Sequence, residues 1–379
     1  MTRARFLRVA ALVTILATGC SSQQPRRSAA AHPTSSLTAA VISTPAPTVG
    51  TSATATPSAA SPGWRIGPQA VRVNLMFATG TPEGLYGVEP SGDGPPFKEF
   101  RLVRIDAATL QVRRSAVLTG DPGGFTVDNQ AVYVGVTGSR SVLRFTTDRL
   151  NPMQSWRDPI ARLRGPLAVT RMGLWVADVH GLTRLLGDGS EAGTSTQHWP
   201  HTVLLQAGWD EPGLLANSFW AVADDRHGCP TLYTGSGPNG LEGHPSPVLH
   251  PVDCGLGFGH IATGPGGTVV SVLTGLMAGT QLLQLDAVTA RWTAHPGPAG
   301  SNGIQPSVAG NQLFVSDARL LDCVDRAGRV LATLQLGETQ ALPQLLEAGG
   351  REFIVFTEGD IGAANGPRVQ PFSAARACH

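Results

Sequence analysis

Residues 132–136 read Val132-Tyr133-Val134-Gly135-Val136, a run of β-branched and aromatic side chains broken by one glycine. Such a run is too short for a helix and suits a buried strand. It also recurs. Leu85-Tyr86-Gly87-Val88 precedes it; Leu174-Trp175-Val176-Ala177, Phe219-Trp220-Ala221-Val222-Ala223, Val269-Val270-Ser271-Val272-Leu273, Leu313-Phe314-Val315-Ser316 and Phe353-Ile354-Val355-Phe356 follow it. Measured from first residue to first residue the steps are 47, 42, 45, 50, 44 and 40. Seven copies at this period account for the whole stretch from about residue 65 to residue 379. A constant period of this length is the mark of a repeat architecture.

Each copy carries companions. A second run follows it, as in Leu102-Val103-Arg104-Ile105-Asp106, Val142-Leu143-Arg144-Phe145, Leu282-Leu283-Gln284-Leu285-Asp286 and Leu321-Asp322-Cys323-Val324-Asp325. Asp106-Ala107-Ala108-Thr109 and Asp286-Ala287-Val288-Thr289 repeat one turn, and Asp325-Arg326-Ala327-Gly328 varies it. An aspartate that opens a turn can accept hydrogen bonds from the backbone two residues on. A more polar strand comes next, as in Gln111-Val112-Arg113 and Arg291-Trp292-Thr293, and a glycine-rich lead-in precedes each unit, as in Gly123-Gly124-Phe125-Thr126-Val127 and Ile261-Ala262-Thr263-Gly264-Pro265. Four strands at this period make a propeller blade. The expected fold is all-β: a seven-bladed β-propeller of four-stranded blades over residues 63–379, least regular in blade 4 at about 205–260.

Composition agrees. The 379 residues include 46 Gly and 29 Pro, too many helix breakers for a mainly helical chain. Hydrophobic residues are 41% and charged residues 15%, enough apolar material for a large core. The formal charge is +1 with no basic tract in the body, which argues against nucleic acid as a partner. The aromatic-apolar strand followed by an acid, with the Leu-x-Leu-Asp-x-x-Thr turn, resembles the bacterial propellers grouped with NHL repeats, YVTN repeats and streptogramin-lyase-like proteins. That resemblance covers nearly all of 65–379 and implies the propeller fold; these folds host both binders and enzymes.

The N-terminus reads as an address. Arg3, Arg5 and Arg8 precede an apolar run from Val9 to Leu16, too short to span a bilayer, and then Ala17-Thr18-Gly19-Cys20. Small residues before a cysteine resemble a bacterial lipobox, although Ala17 stands where leucine is usual. The resemblance implies a signal peptide over residues 1–19, cleavage before Cys20 and lipidation (palmitate) of that cysteine. Ordinary secretion is the alternative. Residues 20–62, rich in Ser, Thr, Ala and Pro, cannot bury enough surface to offset ordering entropy. They read as a disordered tether, about 35 Å root-mean-square in span, holding the propeller off the extracytoplasmic face of the cell membrane.

Candidate chemistry is sparse. An acid ends the recurring strand in five copies, at Glu89, Asp178, Asp224, Asp317 and Glu358, with Thr137 and Thr274 in the other two. A ring of carboxylates could bind a cation or polar ligand. Five copies in one repeat position instead point to turn caps, because a unique site would depart from the repeat. Histidines gather in the middle, at His198, His201, His227, His244, His250 and His260. No zinc spacing occurs, and Pro200 forbids a helix that would align His198 with His201. Asp224-Asp225-Arg226-His227 is the densest polar cluster. No catalytic set is assignable: His227, His260, Asp224 and Asp225 are candidates only, and no nucleophile elbow or phosphate loop is present. Gly255-Leu256-Gly257-Phe258-Gly259 lacks the spacing and context of a dinucleotide fingerprint and reads as a turn. Neither a metal nor a cofactor is expected.

With Cys20 lipidated, Cys229, Cys254, Cys323 and Cys378 remain, an even set in an exported chain. Four cysteines allow three pairings. Cys229–Cys254 would lie inside one blade, and Cys323–Cys378 would tie blade 6 to the C-terminal tail. The last blade runs out of chain, so residues Trp64 to Val73 are expected to supply its outermost strand. The sequence favours a monomeric, non-catalytic envelope module that binds a protein, peptide or glycan. The rival is an extracytoplasmic lyase or hydrolase with a His/acid site at the central channel.

Overall fold

The computed structural model describes residues 63–91, 97, 99–158, 162–194, 204–208, 216–224, 230–235, 241–244, 257–264, 268–274, 281–286, 289, 291–296, 305–316, 319–325, 329–336, 343–357 and 366–378. Residues Phe77 to Gln335 form six antiparallel four-stranded sheets, each built from consecutive strands. The innermost strands are Phe77–Thr81, Pro122–Val127, Leu163–Thr170, Leu204–Ala207, Gly257–Thr263 and Gln305–Ala309. The glycine-rich lead-ins are therefore strands in their own right, and the recurring aromatic runs come second. Each inner strand touches the inner strand of the next sheet. Pro343–Ala348, the first strand of a further sheet, touches both Gln305–Ala309 and Phe77–Thr81, so the circle returns on itself.

That further sheet closes the ring and differs from the others. Its strands Pro343–Ala348, Arg351–Phe356 and Arg368–Ser373 come from the C-terminus, and the N-terminal strands Arg65–Ile66 and Val71–Arg72 both pair with Arg368–Ser373. The register sets Arg65 opposite Ser373 and Ile66 opposite Phe372, then Val71 opposite Val369 and Arg72 opposite Arg368. Between them the Gly67 N–H donates to the Pro371 carbonyl at 2.8 Å. Among the described residues the expected four-stranded blades number six rather than seven, and the closing sheet has the same width, its outermost position being filled by two short pieces on one edge. The N-terminal segment supplies that outermost strand, as expected, but is broken in two, each piece covering part of an edge that would otherwise be open.

The core lies between sheets. Tyr86, Val88, Leu102, Val132 and Val134 pack as one cluster, and Trp175, Ala177, Phe219 and Ala221 as another, with the Trp175 and Phe219 rings 4.5 Å apart. These are the recurring runs of the sequence, buried on both faces by the neighbouring blades. In three sheets the aromatic is paired across the strands with an arginine: Tyr86 with Arg104, Tyr133 with Arg144, Trp175 with Arg184. Each guanidinium lies 5.8 to 5.9 Å from its ring. Arg104 then reaches the next sheet, donating to the Asp148 carbonyl at 2.8 Å beside the Tyr86 hydroxyl, which donates to the Thr147 carbonyl at 2.9 Å.

Glycine lets two blades meet backbone to backbone. A Cβ on Gly165, whose φ is +115°, would lie 2.4 Å from the Gly123 Cα, and one on Gly135 would lie 2.3 Å from the Gly165 carbonyl oxygen. No larger residue fits there without parting the blades.

A disulfide joins Cys323 and Cys378, whose Cα atoms are 5.9 Å apart. Cys378 ends the short 3-10 helix Arg376–Cys378, and both cysteines are buried. They share a cluster with Trp64, Phe314, Leu321, Leu334, Ile354 and Phe372. The first and last described strands of the propeller and the sixth sheet meet in this one cluster. Cys229 and Cys254, and the whole stretch from Cys20 to residue 62, lie outside the described residues.

Candidate functional site: a charged groove at the end of the closing sheet

The second strand of every sheet is antiparallel to its inner strand, so all second strands end at the same end of the ring. Glu89, Asp178 and Asp224 stand there, in the strands Gly84–Ser91, Gly173–Asp178 and Phe219–Asp224. Asp178 is fully buried and spends its carboxylate on its own turn. Oδ1 accepts the His180 and Gly181 N–H groups at 2.6 and 2.9 Å, and Oδ2 the Thr183 hydroxyl at 2.9 Å. That is the turn-capping role. Glu89 does something else. Its strand runs on to Ser91, so no turn is at hand, and it takes Arg114 in a two-pronged ion pair at 2.5 and 3.0 Å. The hydrogen bond to Glu89 holds the Arg114 guanidinium pKa above its ordinary value. Asp317, Glu358, Asp225, His227, His198, His201 and His250 lie outside the described residues.

The aspartates that open the turns also serve the backbone. Asp106 accepts from the Ala108 and Thr109 N–H groups at 3.1 and 2.8 Å, and Asp128 from Gln130 and Ala131 at 2.7 and 2.8 Å. The Thr109 N–H holds the Asp106 carboxyl below the usual carboxylate range. Burial beside Asp128 pushes the Tyr133 hydroxyl far above its ordinary pKa.

His260 sits in the inner strand Gly257–Thr263, opposite Val272 and next to a bulge at Phe258. Burial alone lowers its pKa. A histidine buried in the neutral form must charge on unfolding in acid, so its contribution is complete above the unfolded value near 6.5 and falls away as pH drops below it. His260→Gln is expected to flatten the loss of melting temperature between about pH 6.5 and 5 while leaving the value at pH 8 nearly unchanged. Equal acid slopes for the two proteins would remove His260 as the cause.

A different site lies at the opposite end of the ring. Pro343–Ala348 and Arg351–Phe356 are joined by Gly349-Gly350, both at positive φ, +57° and +68°. A two-residue turn of this kind suits a tight hairpin and fixes its register. Glu347 is set directly opposite Glu352. Three other hairpins of the ring share the two-residue turn, and the equivalent pairs are Gly80–Leu85, Val169–Leu174 and Val308–Leu313. Only at the closing sheet, among these four, do two carboxylates replace an apolar pair. Like charges directly opposite each other on neighbouring strands cost stability.

A groove of about 550 Å3 opens at this end, lined among others by Arg65, Gly310, Glu347, Arg351, Glu352 and Phe372. Each charge is differently engaged. Glu352 Oε2 accepts the Ala374 N–H at 3.0 Å and so fixes the chain leading to Cys378. Arg351 donates to the Ala107 carbonyl at 2.6 Å and lies over the Phe353 ring, stitching the closing sheet to the first. Glu347 and Arg65 make no ion pair or hydrogen bond through their side chains among the described residues. No group of three or more metal-ligating side chains occurs among the described residues.

Sequence reading missed this site, though part of the signal was there. Gly349-Gly350 between two strands implies the hairpin that pairs Glu347 with Glu352. Arg65 is distant in sequence and joins them only through ring closure.

No protein-family model and no curated protein sequence matches the chain. Solved structures share the fold. Streptogramin B lyase superposes with a TM-score of 0.53 at 13% identity, covering 82% of this chain and 97% of that one. A catalytically inactive virginiamycin B lyase from Staphylococcus aureus, solved with quinupristin, gives 0.56 at 11% identity over 82% and 99%. The WD40 propeller domain of Doa1 gives 0.55 at 11% identity over 84% and 99%. The chain is a β-propeller, consistent with the streptogramin-lyase-like repeat propellers, and its structural neighbours include both lyases and WD40 domains.

Proposed function

We propose that this protein is a lipid-anchored, seven-bladed envelope propeller, with the closing sheet counted as the seventh blade. It acts as a non-catalytic recognition module for an envelope protein, peptide or glycan. The observation that carries the reading is the Glu347–Glu352 pair, a departure from the repeat that faces a groove and costs stability where the repeat would use apolar side chains. Stability is commonly given up where a surface must recognise something. The acids at the other end support the same reading, because Asp178 and Glu89 are spent on caps and ion pairs rather than held ready for chemistry. The second reading, a lyase, is favoured by the fold shared with streptogramin B lyase.

One experiment separates these. A photo-crosslinking residue is placed at Ile66, exposed beside the groove, or at Met172, exposed in a turn of the third sheet. In native cells the Ile66 form should give a discrete adduct in the membrane fraction and the Met172 form none. Cys20→Ala should move the protein out of that fraction or leave it as precursor. Adducts from both positions alike would remove the groove as the recognition surface. Ring-opening of quinupristin by the purified protein, read by mass spectrometry, would overturn the non-catalytic reading.

A further inference from the structure

We propose that the piece Trp64–Gly67 is a displaceable strap, and that the sheet edge under it, along Pro371–Ser373, receives an extended segment of a partner protein led by an aromatic residue. This rests on the recognition reading above and names the kind of partner. The N-terminal segment pairs with the closing sheet in two registers. Arg65 and Ile66 stand opposite Ser373 and Phe372, and the Gly67 N–H donates to the Pro371 carbonyl. Val71 and Arg72 stand opposite Val369 and Arg368. From Gly67 to Val71 the segment takes four steps while the edge takes two, from Pro371 to Val369. Pro68, Gln69 and Ala70 are exposed and belong to no strand, and Pro68 has no N–H to give to a ladder. The piece Trp64–Gly67 is therefore free to leave while Val71, Arg72 and the buried Val73 stay in place.

That piece hangs on one side chain. Arg65 and Ile66 are exposed, and Trp64 alone is buried. Its anchorage is imperfect: the indole Nε1 is buried and finds no acceptor among the described residues. A buried donor left without a partner forfeits part of what burial contributes. The edge beneath is held without the strap. Arg368–Ser373 is paired along its length with Arg351–Phe356, Glu352 holds the Ala374 N–H, and the Cys323–Cys378 bond pins the end of the chain to the sixth sheet. Departure of the strap thus bares an ordered edge and, beside it, the aromatic slot between Phe314 and Phe372. An ordered edge with a side-chain pocket is the surface to which extended peptides add as a strand.

The strap shows what the edge accepts. An aromatic residue fills the slot, an apolar residue follows two positions on, and the next N–H reaches the Pro371 carbonyl, as Trp64, Ile66 and Gly67 do. The slot offers nothing to an indole N–H, so phenylalanine suits it as well as tryptophan. The strap competes with any such segment. The apparent affinity for a partner is reduced by the fraction of protein in which the strap is down.

The test uses the full-length, detergent-solubilised protein and a fluorescein-labelled peptide copying residues 63–69, read by anisotropy. The peptide should bind saturably. A copy with phenylalanine in the place of Trp64 should bind at least as tightly, and one with alanine there about tenfold or more weaker. Trp64→Ala in the protein weakens the resident competitor and should tighten peptide binding about tenfold. Arg65→Cys/Ser373→Cys supplies a lock, because the Cα atoms of a directly opposed pair, about 4.5–5.5 Å apart, are within disulfide reach. The oxidised lock should melt no lower than the parent and lose the peptide, and mild reduction should restore binding. Absence of saturable binding to the parent, equal binding by the oxidised and reduced lock, or equal binding of the tryptophan and alanine copies would overturn the proposal. If the oxidised lock still gives the Ile66 adduct in cells, the strap stays down during recognition: the proposal falls and the recognition reading stands. Absence of that adduct from the unlocked protein removes the reading itself.

Discussion

Deleting residues 63–73 is expected to leave the protein aggregated or to lower its melting temperature sharply, whereas deleting residues 21–62 should change it little. The segment 63–73 contributes both outer strands of the closing sheet and Trp64. That indole is buried to 8% exposure, with ring centroids 5.6 Å from Phe372 and 6.5 Å from Phe314. It fills the seam between the sixth sheet and the closing sheet. Trp64→Ala alone should cost roughly 3–5 kcal/mol, the range for emptying a large aromatic site. Removing the strands as well bares the edge of Arg368–Ser373, an invitation to pair with another chain. Equal melting temperatures for the two deletions would show that the ring closes within its C-terminal strands.

The second large effect concerns the disulfide in the same seam. Cys323 and Cys378 are 55 residues apart in sequence, so their bond restricts the unfolded chain substantially. By the chain-entropy estimate the paired Cys323→Ala/Cys378→Ala variant should lose about 4 kcal/mol. Because Trp64 and both cysteines share one cluster, the two losses should not simply add. A triple variant close to the sum of the separate effects would mean that the seam is two independent contacts. Mild reductant without denaturant should leave the bond intact, since both sulfur-bearing residues are buried.

The parts legible in the sequence were those fixed by repetition. Val132-Tyr133-Val134-Gly135-Val136 and its relatives declare strands because each fills the same space between two sheets. Asp106 and Asp286 declare turns because a carboxylate in that place has backbone donors within reach, as the Thr109 and Thr289 N–H groups show. Closure by the N-terminus followed from simple shortage, since the last unit runs out of chain. The split of that segment at Gly67 was not legible, because the Gly67 N–H bond to Pro371 depends on a strand some 300 residues away. Glu89 departs from the turn-cap expectation for a related reason: its strand continues past it, and its partner Arg114 comes from the outer strand of the same sheet. The groove was hidden because the repeat draws attention to what recurs. Glu347 and Glu352 matter as departures, and only the hairpin register shows that they face each other.

The central claim is that the Glu347–Glu352 pair is kept for recognition at the expense of stability. The most direct measurement is Glu347→Val, which restores one member of the apolar pair seen at Val169–Leu174 and Val308–Leu313 and leaves the Glu352 bond to Ala374 in place. Melting temperature and the Ile66 photo-adduct are read on the same variant. The account predicts a melting temperature equal to or above that of the parent together with loss of the adduct. A lower melting temperature with the adduct retained would contradict it, and would make the two carboxylates part of the scaffold.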